Sequence, residues 1–236
     1  MKKHIQVIII LLICLPEIIN AQANSISTTG KWGQQIFISD VNGRAFENKY
    51  ADVNGSAYLF PTFKYSSIIL TDGRKYTNVK ARLNLVEHEV NFIASNGDEG
   101  YIGKGMVNTI AISDTNKQEI KVYTFQTGFP AIDNQSGIQF YQVLVSGKLS
   151  FLKSINKNIE ERVNELSGEK SKEFAIRENL YIVSGGIIKR VKKDAGFFIE
   201  AMADQKDAIR QFISENKVNF KSEEQLKKLI EFYNTL

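Results

Sequence analysis

The stretch Ile68-Ile69-Leu70-Thr71-Asp72-Gly73-Arg74-Lys75-Tyr76, IILTDGRKY, places an Asp-Gly pair and two cations directly after an aliphatic run. Between two β-prone runs such a pair reads as the tip of an antiparallel hairpin, because a two-residue turn needs positive φ and glycine supplies it without steric cost. This reading sets Thr71 opposite Arg74 across the turn and makes the charges a solvated corner. The following run agrees with it. Val79, Ala81, Leu83 and Leu85 recur at period two, with Lys80, Arg82 and Asn84 between them, so one face of the strand is core and the other wet.

The same signals recur outward from this hairpin. Val86-Glu87-His88-Glu89 reads as a four-residue connection to a strand at Val90–Ile93. Further candidate strands are Gln34 to Ser39, Thr109 to Ser113, Glu119 to Phe125, Ile138 to Val145, Lys148 to Ile155, Phe174 to Arg177, Leu180 to Val183 and Ile187 to Val191. Tight turns such as Ser146-Gly147 and Ser184-Gly185-Gly186 separate them, and no long helical pattern intervenes before Lys193. The expected fold is therefore α+β, mainly antiparallel β, a meander forming a sandwich or barrel over residues 24–193. Asn156 to Glu173 is polar and highly charged, and its pattern leaves an exposed helix and a loop both open.

After Lys193 the period becomes helical, giving a C-terminal helical segment over 194–236. Asp194 and Asp204 stand where N-caps should be, and Ser222-Glu223-Glu224-Gln225 has the form of a capping box. Leu226, Leu229, Ile230 and Tyr233 then form an apolar stripe that needs a surface: the chain's own β-domain or earlier helices, or a partner protein docked on that face.

Residues 1–23 have the order of a secretory signal peptide. Lys2 and Lys3 precede an apolar run from Ile5 to Leu15, and small residues at Ala21 and Ala23 mark the two expected cleavage points. The apolar core is shorter than the ~20 residues a membrane-spanning helix needs, so the mature chain is not expected to be an integral membrane protein. Cys14, the only cysteine, leaves with the leader. A cysteine-free exported chain must be held by its core, which suits the periplasm or surface of a Gram-negative bacterium. Removal of Lys2, Lys3 and Glu17 takes 30 basic and 26 acidic groups to 28 and 25, a net charge of +3, too mild to imply nucleic acid.

Chemistry is scarce in the mature sequence. His88 is its one histidine, read as a solvated turn residue, and no metal-ligand set, cofactor motif or nucleophile elbow occurs. The Asp-Val-Asn-Gly repeats at Asp40 and Asp52 lack the later oxygen ligands of a calcium loop and read as turns. Gly97 to Gly105, GDEGYIGKG, lacks the Ser or Thr that follows Gly-Lys in a phosphate loop. A pair of carboxylates brought together in a β-domain cleft, as in a glycoside hydrolase, stays open, since tertiary structure alone would create it.

Gly55 to Leu59, Asp72 to Tyr76, Arg82 to Asn84, Asn216-Lys217 and Tyr233 to Leu236 together resemble a group of uncharacterised exported β-rich proteins of Bacteroidota. That resemblance implies envelope localisation and supplies no catalytic residues. The expectation is an exported protein that binds an envelope protein or a small ligand, or serves a structural role. A carboxylate hydrolase is the alternative.

Overall fold

A computed structural model describes residues 50–115, 119–133, 136–163, 165–166 and 168–236. The expected leader, the candidate strand Gln34 to Ser39 and the first Asp-Val-Asn-Gly lie outside the described residues. Strands β1 (Val53–Asn54), β2 (Lys64–Leu70), β3 (Lys75–Asn84), β4 (Glu89–Ile93), β5 (Glu99–Ile102) and β6 (Val107–Asp114) form the first half. Strands β7 (Lys121–Gln126), β8 (Tyr141–Val145), β9 (Ser150–Val163), β10 (Lys170–Ser184) and β11 (Ile187–Arg190) form the second. They make one sheet in the order β1-β10-β9-β8-β7-β6-β2-β3-β4-β5, with β11 on β10. Pairing is antiparallel except between β1 and β10.

IILTDGRKY forms the β2–β3 hairpin, with a loop one residue longer than expected. Gly73 N–H donates to Leu70 C=O at 3.0 Å and Leu70 N–H to Arg74 C=O at 2.9 Å, so Leu70, not Thr71, faces Arg74. Gly73 adopts φ +87°, the left-handed residue that closes a three-residue hairpin loop. Thr71 N–H turns outward to Met106 C=O at 2.9 Å. Asp72 accepts from the Arg74 backbone N–H at 3.1 Å and from its Nε at 2.8 Å, which leaves a self-paired corner.

The meander expected from sequence is broken where β6 returns beside β2. Only Gly103 to Met106 join β5 to β6, yet four strand spacings of about 4.8 Å separate them along the sheet. Those residues are folded into a turn, with Met106 N–H donating to Gly103 C=O at 3.2 Å, so they cannot span about 19 Å of flat sheet. The first half of the sheet is therefore strongly coiled. Its concave side holds a core of Ile68, Leu83, Leu85, Phe92, Ile110, Ile112 and Phe125, reached also by Ile155 from β9. One backbone bond, Lys157 N–H to Leu85 C=O at 3.1 Å, ties β9 to the end of β3. The sheet is not closed into a barrel. Its second half is covered by helices, which give that face the burial that closure would otherwise provide.

Those helices are α1 (Ala195–Ala201), α2 (Lys206–Glu215) and α3 (Glu223–Asn234). Asp194 caps α1 by accepting from Phe197 N–H, and Ser222 caps α3 by accepting from Gln225 N–H. Two expected details differ. The Gln225 side chain accepts from Asn219 N–H and leaves the Ser222 N–H to the Asn219 carbonyl. Asp204 caps nothing; it accepts from Tyr233 Oη at 2.8 Å and Lys148 Nζ at 2.5 Å, pinning α3 to the β8–β9 turn.

Asn156 to Glu173 is neither helix nor mere loop. It is the outer half of the β9–β10 hairpin, whose ladder runs unbroken from Val183↔Ser150 to Lys170↔Val163. Its sequence lacks an apolar period because both faces are wet: Ile159, Val163 and Ile176 are exposed on one, Asn158 and Arg162 on the other. The backbone ladder and cross-strand pairs such as Arg177–Glu160 (3.0 Å) replace a core there.

Candidate functional site

Because the β9–β10 register has no shift, alternation assigns every side chain of the hairpin to a face. Phe151, Leu180 and Ile182 lie on the helix side, in the core with Leu149, Phe198, Met202 and Ile209. The apolar stripe of α3 fills the same core: Leu226, Leu229 and Ile230 are 0% exposed and Tyr233 3%. The face that sequence allowed for partner docking is thus covered by the chain's own sheet and helices. Asn234, at the end of α3, completes the attachment. Its Oδ1 accepts from Leu149 N–H and its Nδ2 donates to Leu149 C=O, both at 2.9 Å.

The opposite face carries Leu152, Ser154, Asn156 and Asn158 on β9, with Arg177, Asn179 and Tyr181 on β10. Leu152 and Tyr181 are buried with Tyr141 and Ile188, under Phe129 and Ile132 from the β7–β8 connection. Beyond this small core the face becomes polar, and a cleft of about 640 Å³ opens above it. Its floor is Asn156, Asn158, Arg177 and Asn179; Arg190 and Asp133 form one side, and Leu85, Val86 and His88 of the β3–β4 loop the other. The Lys157–Leu85 backbone bond fixes that second wall to the floor.

The cleft is internally braced. Tyr181 Oη donates to Asp133 Oδ2 at 2.9 Å, and Arg190 Nη1 lies 3.6 Å from the same oxygen. Burial first, and then the Asp133 carboxylate, push the Tyr181 phenol upward, so it remains a neutral donor at pH 7. Arg190 Nη2 donates to Asn179 Oδ1. Gln139 Nε2 donates to Asn156 Oδ1 at 2.6 Å and also reaches the Phe140 carbonyl at 3.4 Å.

His88 departs from the sequence expectation of a solvated turn residue. It sits in the left-handed region at φ +56°, partly buried, and its Nδ1 is buried with no hydrogen-bond partner among the described residues. The loop is held by Asn84, whose Oδ1 accepts from the N–H groups of Val86 and Glu87 while its carbonyl accepts from His88 N–H. Burial is the main cause, and the nearby Lys104 ammonium the second, that push the imidazole down to about 4. His88 is therefore neutral at physiological pH and a poor proton shuttle there.

Two carboxylates border this cleft, Asp133 and Glu178. They do not face one another across it. Glu178 shares the helix-side face with Leu180 and Ile182, where its Oε2 pairs with Lys153 Nζ at 2.8 Å. Asp133 is fixed by Tyr181 and Arg190 on the other face. Among the described residues no group of three or more His, Cys, Asp or Glu side chains is placed to hold a metal ion. Asp52 of the second Asp-Val-Asn-Gly pairs with Lys172 at 2.6 Å.

Sequence reasoning missed this cleft because its residues, 88, 133, 156, 177 and 190, share no spacing. The one available signal was the odd grouping of Asn156, Asn158 and Asn179 within an otherwise charged segment. Among the described residues no helix is long and apolar enough to cross a membrane. No protein-family model, curated protein or solved structure matches the chain.

Proposed function

We propose that this chain is an exported envelope protein that binds a small polar ligand in the cleft over β9 and β10 and does not transform it. The observation that carries this reading is the division of the two bordering acids between opposite faces of an unshifted hairpin. Double-carboxylate hydrolysis needs both acids on one substrate, about 5–9.5 Å apart. What the cleft does offer is a rigid, hydrogen-bonded polar floor of the kind that fixes a ligand's orientation. The envelope assignment rests on the order of regions in residues 1–23 and on the resemblance to exported proteins of Bacteroidota.

Two measurements test it. After expression of the full chain in a Gram-negative host, N-terminal sequencing of the exported protein should begin at Gln22 or Asn24; retention of Met1 sinks the export reading. The exported protein should show ligand-induced NMR shifts at Asn156, Arg177 and Asn179 in a screen of polar small molecules. Turnover of a glycoside or ester panel that disappears in Asp133→Asn would overturn the non-catalytic reading.

A further inference from the structure

The hydrogen-bond pattern of the cleft also limits what its ligand can be. Arginine has no acceptor, so the bond from Arg190 to Asn179 fixes Oδ1 of Asn179 inward and turns its Nδ2 donor outward. Gln139 is fixed in the same way. Its Nε2 reaches both the Phe140 carbonyl and Asn156, and a carbonyl can only accept, so Asn156 must present Oδ1 to it and keep Nδ2 free. Among the described residues neither Nδ2 has a partner. Arg177, which lies opposite Asn156 in the ladder, uses one Nη on Glu160 and retains its remaining N–H groups. The Oδ1 acceptors of Asn156 and Asn179 are thus occupied, and their Nδ2 groups join the Arg177 guanidinium as donors on two adjacent strands lining the cleft.

We propose that the cleft binds the oxyanion group, a carboxylate or its tetrahedral sulfate or phosphate counterpart, of a small ligand. This rests on the binding reading above. Asn156 Nδ2, Asn179 Nδ2 and the Arg177 guanidinium are the donors that hold it. Charge-assisted bonds to a guanidinium are shorter and about twice as strong as neutral ones, so the oxyanion and not a hydroxyl is the group these donors select. The Asp133 carboxylate does not compete with the ligand for these donors, being neutralised by Arg190 and held by Tyr181.

The test uses the exported protein, titrated by NMR and calorimetry with glucuronate, with its neutral counterpart glucose, and with inorganic sulfate and phosphate. Glucuronate is expected to bind at least about tenfold tighter than glucose, with shifts at residues 156, 177 and 179. Asn156→Asp, which replaces a donor by a negative acceptor on the half-buried cleft floor and keeps the oxygen that Gln139 bonds, should weaken it by about tenfold or more. Asn158→Asp, on the same strand face, should weaken it less. Sulfate or phosphate binding more tightly than glucuronate would place the ligand in the tetrahedral class and still support the oxyanion. Glucose binding as tightly as glucuronate, with shifts at the same residues, would overturn the oxyanion inference and leave the cleft a binding site. Absence of shifts at residues 156, 177 and 179 with all four probes would overturn the inference, and the cleft with it if the wider screen is also silent.

Discussion

Asn234→Ala should detach the C-terminal helix from the sheet at one identifiable point. The wild-type side chain makes two 2.9 Å bonds to the backbone of Leu149, a reciprocal pairing like one rung of a ladder. Each is worth about 1–1.5 kcal/mol, so the expected loss is about 2–3 kcal/mol. For a chain of this size that lowers Tm by about 5–10 °C. Gly147 gives the same contact a second handle. A Cβ added there would lie 2.4 Å from Asn234 Nδ2 and 2.6 Å from Cγ, so Gly147→Ala must push the amide out of its bonds. In a double-mutant cycle followed by urea unfolding, the pair should therefore cost much less than the two single changes together, because alanine at 234 removes the obstacle. An Asn234→Ala loss below about 0.5 kcal/mol, or strict additivity in the cycle, would refute the role given to this contact.

Three further outcomes follow from the geometry. His88 has a folded-state pKa of about 4 against an ordinary 6.5, so the unfolded chain binds more protons between those values, and stability should fall as pH drops from about 6.5 towards 4. The loss is up to about 3 kcal/mol, and His88→Asn, which tolerates φ +56°, should flatten that part of a pH series of urea midpoints. Gly73→Ala meets no atom within 4 Å but must hold φ +87°, so it should cost about 1 kcal/mol with the hairpin's NMR cross-strand contacts intact. Leu229→Ala opens a cavity under α3 and should cost about 2–5 kcal/mol in denaturant unfolding, whereas a face reserved for a partner would lose almost nothing.

What was legible in the sequence followed local geometry. Val79, Ala81, Leu83 and Leu85 are buried as their spacing required, and the caps at Asp194 and Ser222 form because their partners are three residues away. The hairpin tip at Asp72-Gly73 was readable as a corner, but its register was not. A two-residue and a three-residue loop share the same Asp-Gly signal, and the choice is made by Met106, just before β6, whose carbonyl takes the Thr71 N–H. Asp204 looked like a cap because nothing local reveals Lys148 and Tyr233. The segment 156–173 was illegible for a different reason. A strand with two wet faces has no apolar alternation to read, and its evidence is a ladder with residues up to 21 positions away. The cleft inherits that difficulty, being built on the same segment.

The unbroken β9–β10 ladder also has a thermodynamic boundary along its length. Its inner half is clamped between the helix-side core and the Tyr141–Tyr181 cluster, while its outer half has the backbone ladder, exposed ion pairs and, at residues 172–174, only the short β1 and the Tyr50 ring against Phe174. Local opening should begin at the outer end and stop near Asn156 and Arg177, where the buried contacts start. The cleft lies on that boundary. A ligand held there would act as a stop on fraying strands, raising amide-exchange protection at the boundary residues whose opening dismantles the site by about the ratio of its concentration to its Kd, while amides nearer the hairpin tip keep their own rates.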